Sequence, residues 1–138
     1  MSYLIDTNVI SELRKGDRAH KGVRRWFESL EPDEIFLSVL VTGELRRGIE
    51  SIRRRDPRAA SALDRWLKRV VASHEGRILP VDGPVAEAWG RLNVPDPLPV
   101  VDGLMAATAK VHGLTLATRN IRDVERTGLS TLNPFELD

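Results

Sequence analysis

Short apolar runs alternate with longer segments whose apolar residues recur every three or four positions, and this alternation constrains the fold more than any other feature. Tyr3-Leu4-Ile5 is the first run, ended at once by Asp6-Thr7-Asn8, residues that favour turns and helix caps. Val9, Ile10 and Leu13 then form one helical face before Gly16, and Val23, Trp26, Phe27 and Leu30 form another before Pro32. Residues 34–38 read as the second strand, followed by a helix through Val41, Leu45, Ile49 and Ile52. Asp56-Pro57 breaks that helix and starts the next, because a proline is suited to the first helical turn and an aspartate to its cap. The second half repeats the pattern: a strand at 77–81, a helix faced by Val85, Ala88, Trp89 and Leu92, and a proline-rich loop at 94–99. Asp102 opens an alanine-rich helix that stops at His112-Gly113, and residues 114–118 and 129–132 read as the last two strands. Alternating strands and helices predict an α/β fold with a mainly parallel sheet covered on both faces.

At 138 residues the chain can build its own core, and residues 1–138 are expected to form a single domain. The absence of cysteine excludes disulfides, thiolate zinc sites and cysteine nucleophiles, and fits a reducing compartment. No apolar run approaches the roughly 20 residues that span a bilayer, so a soluble, cytoplasmic protein without membrane contact is expected. The net charge of +1 conceals a strong asymmetry. Between Arg46 and Arg69 nine Lys/Arg stand against three acids, which leaves that segment at +6 and the remainder at −5. Such a division suits a protein that meets a polyanion with one surface and gathers carboxylates at another, although a solvated basic helix face has the same composition.

In an open parallel sheet, ligands bind beyond the carboxyl ends of the strands. Asp6 follows the first strand directly, and Asp123 lies shortly after Thr118 at the end of another. Glu44 and Asp102 fall in the early turns of helices on the same side. Four acids gathered there repel one another unless a cation compensates them. Oxygen donors alone, with no cysteine and no paired histidines, suit magnesium or manganese better than zinc. Each acid also has a simpler use: Asp6 and Asp102 as helix caps, Asp123 as a turn residue, Glu44 as the ion-pair partner of Arg46 or Arg47. Asn8, Thr118 and Asn120 are candidates to orient the carboxylates, or else ordinary turn and cap residues.

The chain resembles the PIN-domain ribonucleases, in particular the VapC and FitB-like toxins of type II toxin–antitoxin modules. The resemblance is carried by Leu4-Ile5-Asp6-Thr7-Asn8-Val9, by Ser38-x5-Glu44-Leu45-x2-Gly48, by the stretch from Val101 to Ala109, and by Leu116-Ala117-Thr118-Arg119-Asn120-x2-Asp123. It implies a three-layer α/β/α sandwich in which Asp6, Glu44, Asp102 and Asp123 form the family's acidic quartet, with Asp123 the least uniform member. It also implies an endoribonuclease dependent on Mg2+ or Mn2+, an RNA substrate that is structured (transfer or ribosomal RNA), a cognate VapB-type antitoxin that blocks the site, and a homodimer.

Arg46, Arg47, Arg53, Arg54 and Arg119 are the candidate contacts to RNA phosphates, and each is equally a surface arginine. His20, His74 and His112 form no evident acid–base pair. Trp26, Trp66 and Trp89 lie on apolar helix faces and read as core or dimer-interface residues. The competing function is a non-catalytic PIN-like module that binds RNA or protein, with its acids serving as caps. An aspartyl-phosphate chemistry is disfavoured because position 8 is Asn8 rather than a second aspartate.

Overall fold

The computed structural model describes residues 1–137. Five strands, β1 (Tyr3–Ile5), β2 (Ile35–Ser38), β3 (Ile78–Leu79), β4 (Thr115–Ala117) and β5 (Thr131–Leu132), form one sheet in the order β3-β2-β1-β4-β5. Every pairing is parallel. The helices are α1 (Thr7–Leu13), α2 (Lys21–Glu28), α3 (Val39–Arg53), α4 (Pro57–Ser73), α5 (Gly83–Leu92), α6 (Val100–His112) and the single turn α7 (Ile121–Val124). Together they make the three-layer α/β/α arrangement expected of the alternation.

Central β1 is apolar throughout because it is covered on both faces, as parallel strands are. Leu4 and Ile5 are fully buried, as are Leu37 on β2 and, nearly so, Leu116 on β4. Each such side chain contributes about 1.5–3 kcal/mol by leaving water. Leu4 lies in register with Phe36 on one side and Leu116 on the other, so one layer of the core crosses three strands. Tyr3 stacks edge-on against the buried Trp26 of α2 at 5.1 Å, while Trp66 and Trp89 pack partly buried against the core. Asp56 caps α4 through Ala59 N at 3.1 Å, and Gly113 ends α6 at φ +66°, a conformation that costs an L side chain energy.

The four later strands are all shorter than the sequence reading, β4 by one residue at each end and β5 by two at its start, and α6 starts earlier. β2 starts at Ile35 because residues 32–34 form a 3-10 turn, in which Glu34 accepts from Glu31 N at 2.8 Å. β3 stops at Leu79, since Pro80 has no N–H to continue a ladder. α6 starts at Val100 with Pro99 at the cap, so Asp102 does not open the helix; it stands in the first turn with its carboxylate unused by the backbone.

Candidate active site

The strand order reverses between β1 and β4: the chain builds outward from β1 through β2 to β3, then returns to β4 on the other side. That switch point leaves a crevice beyond the carboxyl ends of β1 and β4, and the first residues past those strands enter it. Asp6 follows β1, and its N–H continues the ladder by donating to Ala117 O at 2.9 Å. Thr118 follows β4, only 1% exposed, and donates its hydroxyl to Asp6 Oδ2 at 2.7 Å.

Asp6 is the centre of the network. It is 9% exposed, and its Oδ1 accepts from Thr7 N at 2.7 Å, so it caps α1 as one sequence reading allowed. Its Oδ2 also accepts from Asn8 Nδ2 at 3.3 Å. Capping therefore uses one oxygen only and does not exclude a second role for the carboxylate. Asn8 in turn accepts the N–H of Arg119 at 3.2 Å, and Thr118 Oγ1 accepts the N–H of Asn120 at 3.0 Å. The three residues singled out for orientation thus join the loops after β1 and β4, with Asn120 contributing its backbone.

Glu44 is exposed on α3, and its Oε1 accepts from Thr7 Oγ1 at 2.5 Å rather than pairing with Arg46 or Arg47. Thr7 is a site residue the sequence reading did not single out; its signal was a hydroxyl placed one position after Asp6. Asp102 is half-buried in the first turn of α6, and Asp123 is exposed on α7. Among the described residues no Lys, Arg or His lies within ion-pair range of any of the four acids.

The electrostatics record that isolation. Burial pushes the Asp6 carboxyl above 3.8, against the lowering effect of the Thr118 and Thr7 hydrogen bonds, and the charge of Glu44 raises it further. Asp102 is also raised, first by burial and then by the charges of Asp6, Asp123 and Glu44. One carboxyl thus experiences the other three. Among the described residues no three acids or histidines stand close enough together to hold a metal ion by themselves.

The arginines divide. Arg46 and Arg53 both pair with Glu50, at 3.1 and 3.0 Å, and both reach Asp64 on α4. Arg47 and Arg54 are exposed with no such partner among the described residues. Arg119 stacks on the Phe135 ring, its guanidinium carbon 4.4 Å from the centroid. The histidines serve elsewhere: His20 Nδ1 caps α2, His74 Nδ1 contacts Val70 O, and His112 lies exposed at the end of α6.

An all-parallel sheet covered by helices on both faces, with its switch point between β1 and β4, defines a three-layer α/β/α domain. Residues 3–128 match the PIN domain, and the chain belongs to that family. It is 32% identical to toxin FitB of Neisseria gonorrhoeae over 138 aligned positions, 96% of this chain and 97% of the relative. It is 31% identical to VapC ribonuclease Y4jK of Sinorhizobium fredii, again over 96% of this chain and 97% of the relative. The crystal structure of FitAcB from Neisseria gonorrhoeae superposes with a TM-score of 0.90 at 32% identity, covering 98% of this chain and 99% of that one. Among the described residues no helix is long and apolar enough to cross a membrane.

Proposed function

We propose that residues 1–138 work as one domain, an endoribonuclease toxin in which Asp6, Glu44, Asp102 and Asp123 hold Mg2+ or Mn2+ and cut structured RNA. The observation that carries this reading is four carboxylates with no basic residue to neutralise them among the described residues, two of which, Asp6 and Asp102, are pushed above their ordinary value first by burial and then by the charges of neighbouring acids. A ribonuclease name on the relative from Sinorhizobium fredii supports the same chemistry. When bound, the ion supplies Lewis-acid chemistry, making a water nucleophilic near neutral pH and screening charge on the phosphate. Thr118, Thr7 and Asn8 hold the Asp6 carboxylate in one orientation, which lowers the cost of gathering the donors. Thr7 ties Glu44 of α3 to the β1–α1 junction that carries Asp6, which couples the positions of the two acids. Attack by water rather than by the ribose 2′-hydroxyl yields 5′-phosphate and 3′-hydroxyl ends.

A cognate antitoxin and a homodimer complete the proposal. Relatives are solved as FitAcB and as FitAB bound to DNA, the latter 30% identical with a TM-score of 0.88. An apolar groove lined by Thr7, Arg14, Glu44, Leu45, Ile49 and Trp66 opens onto Glu44, and a partner segment lying there covers the site.

The deciding test is Asp6→Asn, assayed for RNA cleavage and for thermal stabilisation by manganese. The expected result is loss of cleavage and a weakened metal-dependent rise in Tm. Cleavage near that of wild type overturns the assignment, and a wild-type protein whose Tm ignores manganese identifies a non-catalytic module.

A further inference from the structure

We infer that Phe135 is a positioning residue for this site: its ring holds the Arg119 guanidinium on the rim of the carboxylate cluster, apart from the acids, where it receives a substrate phosphate. The inference rests on the nuclease reading above. Because all five strands are parallel, β1, β4 and β5 deliver their following residues to one side of the sheet. Asp6 follows β1, Thr118 and Arg119 follow β4, and the turn at Pro134–Glu136 follows β5. Arg119 is thereby fixed at both ends, its N–H on Asn8 Oδ1 at 3.2 Å and its guanidinium 4.4 Å from the Phe135 centroid.

An exposed arginine beside four unpaired carboxylates is drawn towards them, and in their midst it would replace the dication they are gathered to hold. Among the described residues Arg119 makes no ion pair; the negative face of the Phe135 ring offers the competing attraction. The ring face takes no hydrogen bond from the guanidinium, and among the described residues no other acceptor does, so its N–H donors stay free to meet a phosphate with two parallel hydrogen bonds.

Phe135 is itself held from three sides. Its N–H donates to Asn133 Oδ1 at 2.9 Å, and the His20 ring stands against it with centroids 5.5 Å apart. His20 is committed to capping α2, and the terminal segment passes so close to that cap that a Cβ on Gly22 would lie 2.5 Å from Leu137 O. Only glycine admits this approach. The C-terminal turn is therefore a built platform for one ring, and that ring carries Arg119, the neighbour of Thr118 in the chain.

The test uses the full chain and a fluorescein-labelled RNA hairpin pool with randomised loops. KM and kcat are measured with manganese, and salt-dependent binding is measured by anisotropy in EDTA. Phe135→Leu keeps apolar volume without the ring and is expected to raise KM about two- to fivefold, the loss of one cation–π contact, with kcat little changed. Arg119→Ala is expected to flatten the log K against log salt plot by roughly 0.7–0.9, one phosphate contact. Phe135→Leu should add nothing in that background, and Phe135→Tyr should restore wild-type values. An unchanged KM and salt slope in Phe135→Leu, or effects that add to those of Arg119→Ala, overturns the inference. Should Phe135→Leu fail to fold, Arg119→Lys, which keeps the charge and loses the planar stack, decides it by the same two readouts. A wild type that cleaves no RNA defeats the nuclease reading instead, and the salt slopes in EDTA still decide the role of Phe135.

Discussion

Replacing Thr118 by valine removes one hydroxyl at nearly constant volume and isolates the hydrogen bond on which the site's geometry rests. Thr118 is 1% exposed and donates at 2.7 Å to a carboxylate that is itself 9% exposed, so water cannot replace the lost donor. A hydrogen bond to a charged group contributes about 1.5–3 kcal/mol, and the Asn120 N–H loses its acceptor as well, so a total cost of roughly 2–4 kcal/mol is expected near neutral pH. The cost has a defined pH dependence. Asp6 has a folded-state pKa raised above 3.8, so its penalty on stability is absent below 3.8, grows as pH rises through the folded-state value, and is complete above it. The Thr118 bond opposes that rise, and without it the folded pKa climbs further and the penalty at high pH deepens. Thr118→Val should therefore differ most from wild type near neutrality and converge towards it in acid, where a protonated Asp6 no longer needs the donor. Urea titrations in EDTA, followed by tryptophan fluorescence at several pH values, measure this directly. A deficit that is the same at every pH, or below about 0.5 kcal/mol throughout, refutes the claim that this bond carries a buried charge.

Asp102→Asn removes the charge that the other three acids oppose, so in EDTA its Tm should rise above wild type, while its stabilisation by manganese should fall; scanning fluorimetry with and without the metal checks both signs. Thr7→Val cuts the tie between Asp6's loop and Glu44, and because Glu44 is exposed the expected effect is a severalfold loss in manganese affinity with little change in urea midpoint. Arg53→Ala removes one arm of the Glu50 and Asp64 network between α3 and α4; the loss of stability should be small at low salt and vanish at high salt, with RNA affinity less affected than by Arg47→Ala.

The elements visible in the chain are those whose signal is local. Helices α1 to α6 follow from apolar spacing bounded by Asp, Pro and Gly, and Asp56-Pro57 marks a break where α3 passes into α4. Strand lengths are overestimated because an apolar run says which residues are buried and not which N–H groups find partners: residues 78–81 are apolar around Pro80, yet the strand is limited to Ile78–Leu79. Asp102 is misplaced by the same kind of inference. An acid at a helix start reads as a cap, whereas the preceding proline lets the helix begin at Val100 and leaves the carboxylate without a backbone partner, which makes it more useful for binding a cation.

Interactions between distant segments are illegible for a different reason. The bond from Thr7 to Glu44 spans 37 positions, and Arg46 meets Asp64 only because α4 folds back along α3. Counting charge from Arg46 to Arg69 gives +6 but assigns every arginine equal availability. Packing then distinguishes them: Asp64 and Glu50 draw Arg46 and Arg53 into a clasp between helices, whereas Arg47 and Arg54 are exposed and make no ion pair among the described residues. The clasp of two arginines and two acids has no net charge and adds little long-range attraction, so the segment's +6 rests on its other basic residues, and the paired arginines must break existing contacts to touch a phosphate. Under the proposed function, the unpaired basic residues would both steer an RNA towards this face and touch its phosphates.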